Sequence, residues 1–98
     1  MLIIRDIMYC KPGKVRPLVD KFQKLAKLME GEEVGPMRVM TDVSAEQFWT
    51  VVAEIETPSL EAFMAVPGSE IAAQFQEIMK GYHDLVDSGR REIYTLET

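Results

Sequence analysis

The chain has 98 residues, of which 47% are hydrophobic and 28% charged, and its net charge is -5. These proportions are typical of a folded globular protein and exclude a disordered chain, and no apolar run is long enough for a transmembrane helix. The length is that of one domain, so we expect residues 1–98 to form a single domain. A domain this small buries roughly 60% of its unfolded surface, so pairing with a second copy would add useful burial.

Cysteine and glycine usage excludes several classes of site. Cys10 is the single cysteine and His83 the single histidine, so a structural zinc site cannot be built. No calcium loop, P-loop or dinucleotide-binding glycine pattern is present, so we predict neither a metal nor a cofactor. The first ten residues include Arg5 and Asp6 and no cleavage site for a signal peptide. With no disulfide possible within the chain, a cytoplasmic location without membrane attachment is expected.

The first two elements are a strand and a long helix. Leu2–Cys10 is rich in Ile and Met and ends at the turn signal Lys11-Pro12-Gly13. Both faces of this strand are mostly apolar, with one charged residue each, Arg5 and Asp6. The spacing of apolar residues over 13–30 predicts an amphipathic helix. One face of the strand is therefore expected to be covered by helices, and the other by a partner subunit.

The rest of the chain completes the predicted order. Thr57 is the predicted N-cap of a short helix and Pro58 its first residue, while Val66-Pro67-Gly68 ends it. Residues 69–86 have the most regular helical spacing of apolar residues in the chain, and this spacing predicts a second helix there. The remaining predicted elements are strands over 36–42 and 47–57 with a hairpin loop over 43–46, a turn at Ser88-Gly89, and a strand over 90–96.

The resulting βαββαβ order is that of a ferredoxin-like α+β fold. We expect one four-stranded antiparallel sheet, and right-handed crossovers that place two helices on the same face. The opposite face would then be bare although it carries apolar residues. This arrangement predicts a homodimer.

Three motifs resemble the dimeric α/β-barrel superfamily, in particular its NIPSNAP-like and antibiotic-biosynthesis-monooxygenase-like members. They are YCKPGK over 9–14, LEAFMAVP over 60–67 and SGRREIY over 88–94. The resemblance covers nearly the whole chain and implies two sheets paired face to face as a barrel. Its members include cofactor-independent monooxygenases, heme-degrading enzymes and proteins without an assigned activity. The heme-degrading branch relies on an Asn, and this chain has none, so that activity is not expected.

Two residues are candidates for catalysis. His83 flanks the apolar stripe of the predicted helix over 69–86, where a neutral imidazole would serve as a general base. The alternative for His83 is a surface group near the end of a helix. Arg5 would bind an anionic group of a substrate, or form an ion pair across the sheet with Glu54, Glu56 or Glu92, and we favour the ion pair. Asp6, on the other face of the same strand, is open to the same two interpretations.

Tyr9, Trp49 and Tyr82 are candidate ligand-binding residues, because they offer stacking surfaces, and hydroxyl groups on the two tyrosines, for a mostly apolar pocket. The alternative is that these side chains are simply core. The acidic net charge and the missing aromatic RNA-binding signature argue against nucleic acid. We expect a homodimer that binds or transforms a small hydrophobic organic molecule, as a cofactor-independent monooxygenase-like enzyme. A non-catalytic ligand-binding or assembly module is the alternative.

Overall fold

A four-stranded antiparallel sheet organises the computed structural model, which describes all 98 residues. The strands stand in the order β2-β3-β1-β4, the strand order of a ferredoxin-like fold. The predicted fold class is therefore confirmed. The elements in chain order are β1 Leu2–Cys10, α1 Val15–Leu28, β2 Met37–Thr41, β3 Thr50–Thr57, α2 Leu60–Met64, α3 Ala72–Met79 and β4 Val86–Thr95.

The hydrophobic core lies between the helices and one face of the sheet. α1 buries one stripe of its surface, formed by Leu18, Val19, Phe22 and Leu25, as its periodicity predicts. This stripe packs with Val51 and Ala53 of β3 and with Cys10. A second, smaller cluster of Met29, Val34 and Ile55 packs against Ala62 and Phe63 of α2, on the same face of the sheet. All the helices therefore cover a single face of the sheet, as expected, and we call the other face the open face.

The second crossover differs from the sequence prediction. The long helix expected over 69–86 is wrong, because α3 ends at Met79 and the chain turns at Gly81, whose φ of 82° lies in the left-handed region. Tyr82–Asp84 then forms a separate short 3-10 turn. The crossover thus contains two helices, α2 and α3, as the break at Val66-Pro67-Gly68 predicts, and α3 is shorter than expected. No helix of the molecule combines the length and the apolar composition that a membrane span requires.

Two predicted strand boundaries are also wrong. β3 begins at Thr50 rather than at residue 47, because Trp49 has a φ of 58° and turns the chain out of the extended conformation. Ser88 and Gly89 do not form a turn, since they lie within β4 and pair with Tyr9 and Met8 of β1.

The start of α2 is two residues later than predicted. Ser59, not Thr57, is the N-cap, and its hydroxyl oxygen accepts a hydrogen bond from the backbone N–H of Ala62 at 3.1 Å. The Thr57 hydroxyl instead donates to the carbonyl of Ser59 at 2.8 Å. Thr57 therefore fixes the approach of the chain to the helix without capping it.

Candidate functional site

A cavity of about 210 Å³ lies between the sheet and the helices. Hydrophobic residues make up 12 of the 15 that line it. The strands contribute Met8, Met37, Ala53 and Ile55, and the helical layer contributes Phe22, Phe63, Phe75 and Tyr82 among others. Since an apolar cavity of about 150 Å³ is large enough to admit benzene, this one has room for a single ring with a small substituent.

The only charged residues in the cavity wall are Asp6 and Arg91. Arg91 donates from Nε to Oδ1 of Asp6 at 2.6 Å and from Nη2 to Oδ2 at 3.2 Å. Such a two-bond pairing fixes the orientation of both groups. The hydrogen bond to Asp6 also raises the pKa of Arg91 above its ordinary value. The cavity therefore has one polar end, and the two charges there balance.

Strand register brings these two side chains together. Asp6 of β1 stands opposite Arg91 of β4 on one side and opposite Ala53 of β3 on the other. All three side chains consequently point to the helical layer. Because the Ala53 side chain is a single methyl group, this row of the sheet leaves space above it that a larger residue would fill.

Arg91 also contacts the helical layer above the sheet. Its guanidinium carbon lies 5.0 Å from the centre of the Phe63 ring, within the range of a cation–π contact. Phe63 belongs to α2 and lines the cavity as well. The polar end of the cavity is thus bounded by one carboxylate, one guanidinium and one aromatic ring.

A second, more open depression of about 370 Å³ adjoins the cavity. The two spaces share Asp6, Met8, Tyr82 and Arg91 in their walls. We call this depression the vestibule. Its other lining residues include His83, Asp87 and Ser88, so it is far more polar than the cavity. The Asp6–Arg91 pair and Tyr82 therefore stand at the boundary between a polar space and an apolar one.

His83 lies in the vestibule and not in the cavity. The side chain is exposed, and its ring centre is 4.0 Å from that of Tyr82. The early end of α3 explains this placement, because His83 occupies a 3-10 turn and no longer follows the helical stripe. Its role as a general base stays a prediction.

Arg5 lies on the open face, across the sheet from the cavity. Its Nε donates to Oε1 of Glu54 at 2.7 Å, and Arg38 donates to the other oxygen of the same carboxylate. The favoured interpretation of Arg5 as half of an ion pair is confirmed. The hydrogen bond from Arg5 lowers the pKa of Glu54, burial opposes this effect, and the hydrogen bond from Arg38 adds to the lowering.

Tyr9 and Trp49 line a third space, at one end of the sheet. It measures about 440 Å³ and is also lined by Phe48, whose exposed fraction is 83%. The five residues selected from the sequence are therefore distributed over four places: the cavity, the vestibule, the open face and the space at the end of the sheet. Of these five, Tyr82 alone lines the cavity between sheet and helices, while Arg5, Tyr9, Trp49 and His83 lie outside it.

Arg91 and Phe63 are the cavity residues that sequence reasoning missed. The signal for Arg91 was the charged Asp6 on the inward side of a central strand, which requires a partner. Two adjacent arginines, Arg90 and Arg91, were available on the last strand, and only the register decides which one meets Asp6. No group of three or more His, Cys, Asp or Glu side chains is placed to hold a metal ion.

Comparisons with known proteins identify the fold. No protein-family model and no curated protein matches the chain. A proposed antibiotic biosynthesis monooxygenase from Nitrosomonas europaea has a similar structure, with a TM-score of 0.76, 10% identity and 100% of both chains covered. An uncharacterised NIPSNAP domain protein from Burkholderia xenovorans has a TM-score of 0.75 and 16% identity, with 98% of this chain and 94% of that chain covered.

A third similar structure is that of a protein described as dimeric. It is a dimeric protein of unknown function and ferredoxin-like fold from Bacteroides fragilis, with a TM-score of 0.69 and 8% identity, covering 97% of this chain and 96% of that one. At such low identities the likeness is one of fold. The resemblance to antibiotic-biosynthesis-monooxygenase-like and NIPSNAP-like structures is confirmed at that level.

Proposed function

We propose that the protein binds a small apolar organic molecule in the cavity between its sheet and its helices. The observation that carries this proposal is the cavity itself, about 210 Å³ of space lined mainly by apolar side chains, with a single polar end. Concave, mostly apolar sites with a few placed polar groups are the usual form of small-molecule sites in proteins. The volume limits the buried part of the ligand to about one ring, since benzene occupies a cavity of about 150 Å³.

Filling the cavity provides the test. Ala53 is 1% exposed and lines the cavity, so Ala53→Leu is expected to occupy the space that the ligand would use. Toluene, titrated against the wild-type protein and followed by NMR chemical shifts, should show saturable binding that Ala53→Leu abolishes. Ala73→Leu is the matched control, because Ala73 is exposed on α3. Absence of saturable binding to the wild type, or equal binding to both variants, would contradict the proposal.

A catalytic form of the proposal is cofactor-independent oxygenation of the bound molecule. It is supported by the fold shared with the Nitrosomonas protein, with Tyr82 as a contact of the ligand and His83, in the adjoining vestibule, as base. Arg5, Tyr9 and Trp49 lie outside the cavity and do not contact a ligand bound there. The alternative is a binding or assembly module without turnover. Oxygen uptake in the presence of a bound ligand distinguishes the two. Unchanged turnover in His83→Ala would remove the role proposed for His83.

The proposal includes a homodimer formed through the open face. Met40 and Tyr94 are exposed on that face, at 41% and 47%, and the similar protein from Bacteroides fragilis is dimeric. Covering this face would add apolar burial that a chain of 98 residues otherwise lacks. Sedimentation at micromolar concentration should therefore give the mass of two chains.

A further inference from the structure

We propose that the Asp6–Arg91 pair makes the cavity selective for neutral, hydroxyl-bearing molecules over acids and amines that share the same apolar body. This inference rests on the proposed function and names the chemical class of its ligand. It follows from three properties of the pair: the hydrogen-bonding positions that remain free on it, its zero net charge, and its place at the boundary of the cavity.

The pair offers both donors and acceptors to a ligand. A guanidinium has five N–H groups, and Asp6 takes two of those of Arg91, from Nε and Nη2. No further hydrogen-bond partner of Arg91 is present in the structure. The Asp6 carboxylate likewise has about four acceptor positions and uses one on each oxygen. A hydroxyl group can donate to Asp6 and accept from Arg91 at the same time, so it satisfies both.

Charged ligands meet a like charge at the same place. A carboxylate that reaches Arg91 comes beside Asp6, and an ammonium group that reaches Asp6 comes beside Arg91. On the cavity side of the pair the wall is apolar, so a charged group bound there is poorly screened and stays uncompensated. On the vestibule side the Arg91 side chain is 49% exposed, and water screens the same repulsion. The backbone of Asp6 is held in place because β1 is paired on both sides, so the carboxylate stays on the cavity face of the sheet.

The vestibule fixes how such a molecule is oriented. It is polar and shares Asp6, Tyr82 and Arg91 with the cavity. The apolar body of the ligand therefore lies inside the cavity, and its hydroxyl group lies at the ion pair.

Four probes with a common phenyl ring test the selectivity at pH 7: benzyl alcohol, benzoate, benzylamine and toluene. Calorimetric titration of the wild-type protein should show benzyl alcohol binding about tenfold more tightly than benzoate or benzylamine, the size expected for a hydrogen bond to a charged group. Equal or tighter binding of benzoate or benzylamine would overturn the inference. Failure of both toluene and benzyl alcohol to bind would instead contradict the proposed function.

Two substitutions should reverse the selectivity in opposite directions. Asp6→Asn keeps the shape of the side chain but leaves Arg91 uncompensated, so benzoate should gain about tenfold relative to toluene. Arg91→Met leaves Asp6 uncompensated, so benzylamine should gain instead. Toluene binding reports in each variant whether the cavity is intact, and Arg91→Lys, which keeps the charge, should retain the wild-type order. An order of affinities unaffected by both substitutions would overturn the inference.

Two exposed residues of α1 provide controls of equal charge change. Asp20→Asn and Arg16→Met alter the net charge of the protein as the test variants do, but lie away from the cavity. Both should leave the order of the four probes as in the wild type. A reversal in these variants would assign the selectivity to the overall field of the protein and contradict a role for the pair.

Discussion

Glu54 is the residue whose environment is least expected from its position. It lies on the open face, which no helix covers, yet its exposed fraction is 4%. Arg5 and Arg38 approach it from the two neighbouring strands and bind one carboxylate oxygen each. A carboxylate paired and hydrogen-bonded in this way stabilises the fold, whereas removing its charge leaves two guanidinium groups without their partner.

The Glu54 cluster predicts a dependence of stability on pH. Hydrogen bonding by Arg5 lowers the pKa of Glu54 in the folded protein relative to the ordinary value of 4.5. The folded state therefore binds this proton less readily than the unfolded chain, and the stabilisation is complete above pH 4.5 and lost as the pH falls below it.

Substitution of Glu54 measures this contribution. Urea unfolding at pH 7 should show Glu54→Gln less stable than the wild type by about 2 kcal/mol, because both arginines are partly exposed and the loss is moderated by water. The difference should shrink as the pH falls below 4.5 and Glu54 becomes protonated. Glu61→Gln, at an exposed carboxylate on α2, is the control and should change the stability at pH 7 by no more than about 0.5 kcal/mol. A constant difference between Glu54→Gln and wild type across this range would refute the interpretation.

Single residues differ in how far the sequence predicts them. Alternation along β1 was enough to place Arg5 and Asp6 on opposite faces, and Glu54 was among the partners expected for Arg5. The partner of Asp6 was not predictable in the same way. Shifting the register by one residue would bring Arg90 instead of Arg91 into the cavity, and the register depends on hydrogen bonding that the sequence does not state.

At the scale of elements, β4 shows how pairing overrides a local turn signal. Ser88-Gly89 reads as a turn, but both residues extend the strand and pair with β1. Space rather than conformation disfavours a side chain at this position. A Cβ on Gly89 would lie 2.8 Å from the sulfur of Met8 and 3.0 Å from the carbonyl oxygen of Ile7. The flexible Met8 side chain can move away, whereas the Ile7 carbonyl belongs to the doubly paired strand β1 and resists a shift.

Gly89→Ala is therefore expected to destabilise the fold by about 1–3 kcal/mol, the usual cost of overpacking. Urea unfolding of the variant and the wild type measures this difference. Gly68→Ala is the matched control, since a Cβ at Gly68 has no neighbour within 4 Å, and its effect should stay within about 0.5 kcal/mol. Equal effects of the two substitutions would show that the close approach to Met8 and Ile7 is unimportant.

Apolar periodicity predicted the extent of one helix well and of another poorly. α1 follows its apolar stripe and was predicted to within two residues at each end, over 13–30 against Val15–Leu28. The stripe over 69–86 was equally regular, yet the helix stops before Gly81. Apolar spacing reports which side chains face the core, and a turn that returns the chain to the same core keeps Tyr82 and Leu85 there. For this reason His83 was assigned to the wrong element.

At the scale of the whole molecule, the open face determines the assembly that we propose. Met40→Glu places a charge on this face and should weaken the dimer by at least about tenfold, because a buried unpaired charge is costly. Sedimentation equilibrium measures the change. Met64→Glu makes the same substitution at an exposed residue of α2, on the helical side of the molecule, and should leave association unchanged. Equal weakening by both variants, or a monomeric wild type, would contradict pairing through the open face.

The charged side chains of the open face also bear on how two copies would be oriented. Arg38, Glu54, Arg5 and Glu92 stand opposite one another on successive strands, so positive and negative groups alternate across the sheet. When a second copy is related by a two-fold axis along the strands, the order of this row is reversed and every charge meets its opposite. An axis across the strands sets like charges face to face. The alternating charges therefore favour the dimer whose two-fold axis runs along the strands over the dimer whose axis runs across them.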